Sequence, residues 1–212
     1  MILSKIIPLS FLSIGIFLLL QVILPIASFQ IWAMSQKYSN VALIAPIPKG
    51  SQILGVSVQN KDNFSSFVST LSRETKAPYD FFSLTIPKLK IEQAAVDVDS
   101  NDLSKNLAHL PGSALPGEKG NVFISGHSAL SPWFSLKKAL FLNLTDLKKG
   151  DEIVIEADGT KFRYEVASFK LVDPNDVSVV GAPEPLGRYI SLMTCVPPGL
   201  NFKRLVVLGK MI

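Results

Sequence analysis

Three side chains in the C-terminal half of the 212-residue chain carry reactive chemistry: His127, Cys195 and Arg204. Cys195 is the only cysteine, so no intramolecular disulfide can form. A free thiol with a pKa of about 8.5 is only about 3% thiolate at pH 7. A neighbouring imidazole either takes the sulfur's proton or holds it in an ion pair, and the two groups then titrate together. A guanidinium beside the sulfur stabilises the oxyanion formed when a thiolate attacks a carbonyl. Arginine suits that task because it stays charged and presents a fork of donors. Thr194, just before the cysteine, offers a further hydroxyl or backbone donor. Taken singly, each residue has a plainer reading: an inert core thiol, a satisfied structural histidine and a surface charge. One cysteine and two histidines, His109 and His127, lack any Cys-x-x-Cys or His-x-x-x-His spacing. A zinc site is therefore disfavoured, and no cofactor is expected.

Positioning such groups calls for rigid elements. Val122 to His127 reads as a strand closed by the histidine, with Gly126 leaving backbone room beside it. Arg188 to Thr194 reads as a strand closed by Cys195, because Pro197 and Pro198 cannot continue a central strand. A side chain at a strand end is firmly held yet open to substrate. If the last two strands are antiparallel, the segment beginning at Lys203-Arg204 returns beside the cysteine. Side chains alternate along a strand, so only one of those two cations reaches the thiol, and register decides which.

The stretch from Phe81 onward has the pattern of short strands with turn signals. The runs are FSLTIP, IEQAAVDV, NVFISGH, EIVIEA, KFRYEVASFKLV, RYISLMTC and RLVVLGKMI. Asp158-Gly159 is a hairpin signal, and Lys149-Gly150-Asp151 is another turn. Leu103–Leu110 is expected to form a short helix with Asp102 near its start. Ser135 to Leu147 mixes helical and loop character. These features predict a small, all-β barrel or sandwich with short helices.

The N-terminal third differs. Residues 1–78 hold six of the 21 Lys/Arg and two of the 17 Asp/Glu, so the excess of positive charge lies there and residues 79–212 are neutral. A neutral globular part has no electrostatic footprint for nucleic acid. From Ile6 to Gln36 there is no charged residue. That run exceeds the ~20 apolar residues a bilayer-crossing helix needs. It is longer than the apolar region of a cleaved signal peptide, and it is apolar all round, unlike a core helix. We expect residues 1–36 to be a transmembrane anchor and 37–79 a polar extracytoplasmic linker. Asn63 to Thr75 is expected to form an amphipathic helix in that linker, with Phe64, Phe67, Val68 and Leu71 on one stripe, ended by Pro78. Residues 80–212 are expected to form the globular β domain that carries His127, Cys195 and Arg204. Positive charges flank both ends of the apolar run, so they do not orient it; a single N-terminal anchor normally exports the larger part.

His109 to Asn121 (HLPGSALPGEKGN), Ile124-Ser125-Gly126-His127-Ser128, and Ser191-Leu192-Met193-Thr194-Cys195 followed by Lys203 to Val207 together resemble a sortase. LTDLKKGDE at Leu144–Glu152 and VDPNDV at Val172–Val177 extend the likeness, which covers roughly residues 80–212. Ser191 stands where the family's usual pattern has threonine. The resemblance implies a closed eight-stranded sortase β-barrel tethered to the outer face of the cell membrane, single-pass. It implies transpeptidation: Cys195 attacks a carbonyl in an LPxTG-like C-terminal sorting signal of a secreted protein and forms a thioester. Arg204 holds substrate or oxyanion, and His127 protonates the leaving amine and deprotonates the incoming one. That amine comes from a cell-wall precursor or a pilin. His109 is implied to be structural. The linker lacks an Asp-Pro-aromatic lid, which points to a housekeeping or accessory type, and no acidic cluster predicts metal activation. Two other readings compete. Another cysteine acyltransferase or hydrolase, such as an L,D-transpeptidase, would carry a compact Ser-His-Gly-Cys block, whereas His127 and Cys195 are 68 residues apart. A membrane-tethered, non-catalytic β-barrel binding module would bury its sulfur in packed hydrocarbon.

Overall fold

The computed structural model describes residues 3–38, 55–61, 64–71, 75–128, 139–198 and 202–212. The chain divides into two compact units, Met1–Val41 and Ala42–Ile212. The first contains helix α1 (Leu3–Tyr38). Its Ser10–Ser28 stretch is long and apolar enough to cross a membrane, and none of that stretch is buried. Apolar all round, it lacks the polar face of a surface helix.

The second unit is built on a closed barrel of eight strands in the order β10-β8-β7-β3-β4-β5-β6-β9. The strands are β3 (Phe81–Ile86), β4 (Ile91–Asp97), β5 (Leu107–His109), β6 (Gly120–Ser125), β7 (Glu152–Ala157), β8 (Thr160–Val172), β9 (Arg188–Val196) and β10 (Lys203–Met211). The barrel, rather than a sandwich, resolves the two all-β options. In β7, Ile153, Ile155 and Ala157 point into the barrel while the residues between them are partly exposed, the alternation of a half-buried strand. The β7–β8 turn places Asp158 at φ 47° and Gly159 at φ 71°. Two left-handed residues in a two-residue loop are what the Asp-Gly pair favours.

Two pairings are parallel, β4–β5 and β6–β9. The second sets the site, because parallel neighbours end at the same rim of the barrel. β9 and β10 are antiparallel. Inner-facing Val122, Ile124, Ile190, Leu192, Leu205 and Val207 fill the barrel. The outer faces of β6, β9 and β10 are also buried, since Phe123, Met193 and Val206 form a second cluster with Phe67, Val179 and Val180. That double burial explains why β9 reads as a near-continuous apolar run.

Three local expectations change. The segment containing the expected amphipathic helix Asn63–Thr75 instead holds strand β2 (Phe64–Ser69), paired antiparallel with β1 (Val56–Lys61). Phe67 is 3% exposed and stacks at 5.9 Å on Phe123, so a tertiary contact overrides the helical stripe. Phe67, with Val56 and Val58 beside it, thus packs on the cluster of Phe123, Met193 and Val206. The expected helix at Leu103–Leu110 is also absent: Leu107–His109 is a short strand bridging β4 and β6. Asp102 still captures the Ser104 amide at 2.8 Å as a helix cap would, but the chain turns away after it. Within Ser135–Leu147, residues 135–138 lie outside the described residues, and Leu144–Asp146 is a 3₁₀ turn.

Candidate active site

The β9–β10 register decides between the two cations. Cys195 lies directly opposite Arg204, and Lys203 opposite Val196. Cross-strand partners share a face, so Arg204 accompanies the sulfur on the outer side of the barrel. Lys203 turns the other way and pairs with Asp173 at 2.5 Å.

His127 follows the end of β6, and two contacts hold its backbone beside β9. The Gly126 amide donates to the Met193 carbonyl at 3.0 Å, and the Ser128 hydroxyl donates to the Cys195 carbonyl at 2.6 Å. The Phe141 amide donates to the His127 carbonyl at 3.1 Å. The imidazole is half-buried. Gly126 is required by close approach: a Cβ there would sit 2.6 Å from both Leu107 and the Phe141 ring. The space foreseen beside the histidine is thus filled by neighbouring side chains.

Thr194 is engaged with the fold through its side chain. Its hydroxyl donates to the Gly126 carbonyl at 2.8 Å, on the face opposite Cys195. That bond ties the histidine's strand to the cysteine's strand. Ser128 escaped sequence reasoning as a contributor. Its position next to His127 was legible, but its bond to a carbonyl 67 residues away was not.

Cys195 is 4% exposed and Arg204 is fully buried. The sulfur is nevertheless outside the barrel interior, on the face it shares with a cation. Burial pushes the thiol up from 9.0 to about 11, and the Arg204 charge pulls it back part of the way. Burial in turn lowers the Arg204 pKa, while Cys195 raises it. Burial thus favours the protonated thiol, with the Arg204 charge working against it. Attack by this sulfur needs a base, and His127 lies just past the end of β6, the strand paired with β9.

His109 occupies a different setting. It is fully buried on β5, edge-on to Phe82 at 5.8 Å. Its Nδ1 lies 3.3 Å from the Asp99 amide and its Nε2 3.0 Å from the Ala114 carbonyl. The Ser113 hydroxyl lies 2.8 Å from Nε2, and the Asp99 carboxylate lies 3.5 Å from Nδ1. Among the described residues, no three His, Cys, Asp or Glu side chains gather in a metal-holding group.

Comparison with known proteins fits this geometry. The sortase domain family model matches residues 84–212. Sortase D of Bacillus subtilis is 31% identical over 131 residues, which is 60% of this chain and 61% of that protein. Sortase A of Bacillus anthracis is 33% identical over 135 residues, 61% of this chain and 58% of that protein. The alignments thus span about six tenths of each relative's length. Among solved structures, a lid mutant of sortase A from Corynebacterium diphtheriae has a TM-score of 0.55 at 31% identity, covering 66% of this chain and 73% of that one. A matching family model over more than half of the residues and a shared barrel at this level of identity place the chain in the sortase family.

Proposed function

We propose that the protein is a membrane-tethered cysteine transpeptidase. The carrying observation is the β9–β10 register, which sets Arg204 across from Cys195, at the rim where the His127 backbone is moored. In this reading Cys195, His127 and Arg204 are the catalytic residues, and Thr194 positions them. His127 takes the thiol proton as sulfur attacks a carbonyl in a sorting signal similar to LPxTG. The Arg204 guanidinium stabilises the tetrahedral oxyanion. His127 then protonates the departing amine, leaving a thioester on Cys195. An incoming amine, from a cell-wall precursor or a pilin, gives its proton to His127 and attacks the thioester. A new amide forms, and the thiol returns. The apolar Ser10–Ser28 stretch supports anchorage through residues 1–36, with the barrel on the outer side of the cell membrane. The catalytic body then begins at the β1–β2 hairpin rather than at residue 80.

The test is product formation by the full chain, in detergent micelles, from a panel of LPxTG-like peptides and an amine nucleophile. The wild type is expected to give amide product and Cys195→Ala none. Equal product from both across the panel refutes the transpeptidase reading. That outcome would leave the tethered binding module.

A further inference from the structure

The β6–β9 ladder stops before it reaches the reactive residues. Its last pair is Ser125 with Met193, and His127 and Cys195 each lie two positions beyond that pair. Residues 126–128 have already left strand geometry. One backbone bond follows the ladder, from the Gly126 amide to the Met193 carbonyl. Beyond it, side-chain hydroxyls make the crossing. The Thr194 hydroxyl donates to the Gly126 carbonyl at 2.8 Å, and the Ser128 hydroxyl donates to the Cys195 carbonyl at 2.6 Å.

The second of these bonds is the unusual one. It runs from the residue after the histidine to the main chain of the cysteine itself, across 67 positions of sequence. Ser128 is 2% exposed, so its hydroxyl is sheltered from competing water. On the other side of the same segment, the Phe141 amide holds the His127 carbonyl at 3.1 Å. The His127 backbone is thereby gripped between the Phe141 loop and β9. A regular strand would have spent a backbone N–H on this crossing and carried the histidine into the sheet. A hydroxyl lets the chain leave the sheet and still be tied to it.

We propose that Ser128 is a positioning residue: its hydroxyl, bound to the Cys195 carbonyl, sets the geometry in which His127 serves the sulfur. This rests on His127 acting as the base for Cys195 in the transpeptidase reading. Ser128 acts through the histidine and not on the substrate. Misplacing a catalytic group by ~1 Å costs up to ~10²-fold in rate, so one lost tether is enough to be seen.

The experiment uses the full chain in detergent micelles and reads iodoacetamide labelling of Cys195, which needs the base but no peptide. Ser128→Ala is expected to slow labelling at pH 7 by about tenfold, and Ser128→Thr, which keeps the hydroxyl, to restore most of the rate. In a His127→Ala background, adding Ser128→Ala should change labelling by less than about twofold, because nothing is left to position. The pH profile of labelling in Ser128→Ala should move upward, toward that of His127→Ala. With an LPxTG-like peptide, kcat should fall ~10–10²-fold while KM stays within about twofold. Ser113→Ala controls for lost stability. It deletes another buried hydroxyl, one that donates to the Leu110 carbonyl at 2.7 Å, and should leave labelling unchanged. Unchanged labelling in Ser128→Ala, equal slowing in Ser113→Ala, or losses that multiply in the double variant each overturn the proposal. Should Ser128→Ala not fold, Ser128→Val against Ser128→Thr, alike in shape and different in the hydroxyl, makes the same comparison. Labelling that depends on Ser128 and His127 as described, with no peptide turned over, supports the tether and overturns the transpeptidase reading instead.

Discussion

The two histidines stand near adjacent barrel strands and live in opposite environments. His109, on β5, is sealed from solvent with both ring nitrogens engaged by backbone groups and by the Ser113 hydroxyl. His127, just past β6, is half-buried and held through its own backbone and its neighbours Gly126 and Ser128. Both nitrogens of the His109 ring are engaged by the fold, so that imidazole has nothing to offer a substrate. His127 is held through its backbone at the rim it shares with the cysteine's strand. Position at a rim shared with a thiol, rather than residue type, confers the proposed role.

Substitutions can break this contrast. His127→Gln is expected to lower kcat/KM by ~10²–10⁴, the range for a lost general base, with the urea midpoint unchanged. His109→Gln should do the reverse. It disturbs bonds to the Asp99 amide and the Ala114 carbonyl, costing about 2–3 kcal/mol in urea unfolding while turnover at a permissive temperature stays within a few-fold. If His109→Gln abolishes turnover in a fully folded protein, the contrast is wrong.

Alkaline titration sharpens the picture of the buried rim. Cys195 rises from 9.0 to about 11 and Tyr164 from 10.0 to about 12, both chiefly by burial. Each folded-state pKa exceeds its unfolded value, so the neutral form stabilises the fold. That contribution is complete below pH 9 and is lost as pH climbs through 9–11 for the thiol and 10–12 for the phenol. Unfolding free energy should therefore fall across this window, and Cys195→Ala should flatten only its lower part. The smallest expected effect belongs to Lys203→Ala. Its pair with Asp173 is largely solvent-exposed, so stability should change by less than ~1 kcal/mol, and activity little, in contrast to Arg204 one residue away.

Much of this was legible beforehand. Alternating apolar residues, Asp158-Gly159 and the Pro197-Pro198 stop marked β7, β8 and β9, because strand pleat and turn chemistry are local properties. The uncharged run from Ile6 to Gln36 marked α1 for the same reason. The failures at Asn63–Thr75 and Leu103–Leu110 were of another kind. Phe67 looked helical in spacing, yet its partner is Phe123, and Leu107–His109 pairs with β4 and β6. Such partners lie far away in sequence and leave no local trace.

The amino-acid sequence alone determined that one thiol, two imidazoles and an adjacent Lys-Arg pair exist, and that strands end near them. The tertiary structure decided which of them meet. A parallel β6–β9 pair brings His127 and Cys195 to one rim, and the β9–β10 register chooses Arg204 over Lys203. It also turned the Thr194 hydroxyl toward Gly126 and laid a hairpin over the outer face. The physical reason is that strand register has a side-chain period of two. A slip of one residue exchanges every inward and outward group, and only the closed barrel with its packed cover sets that register.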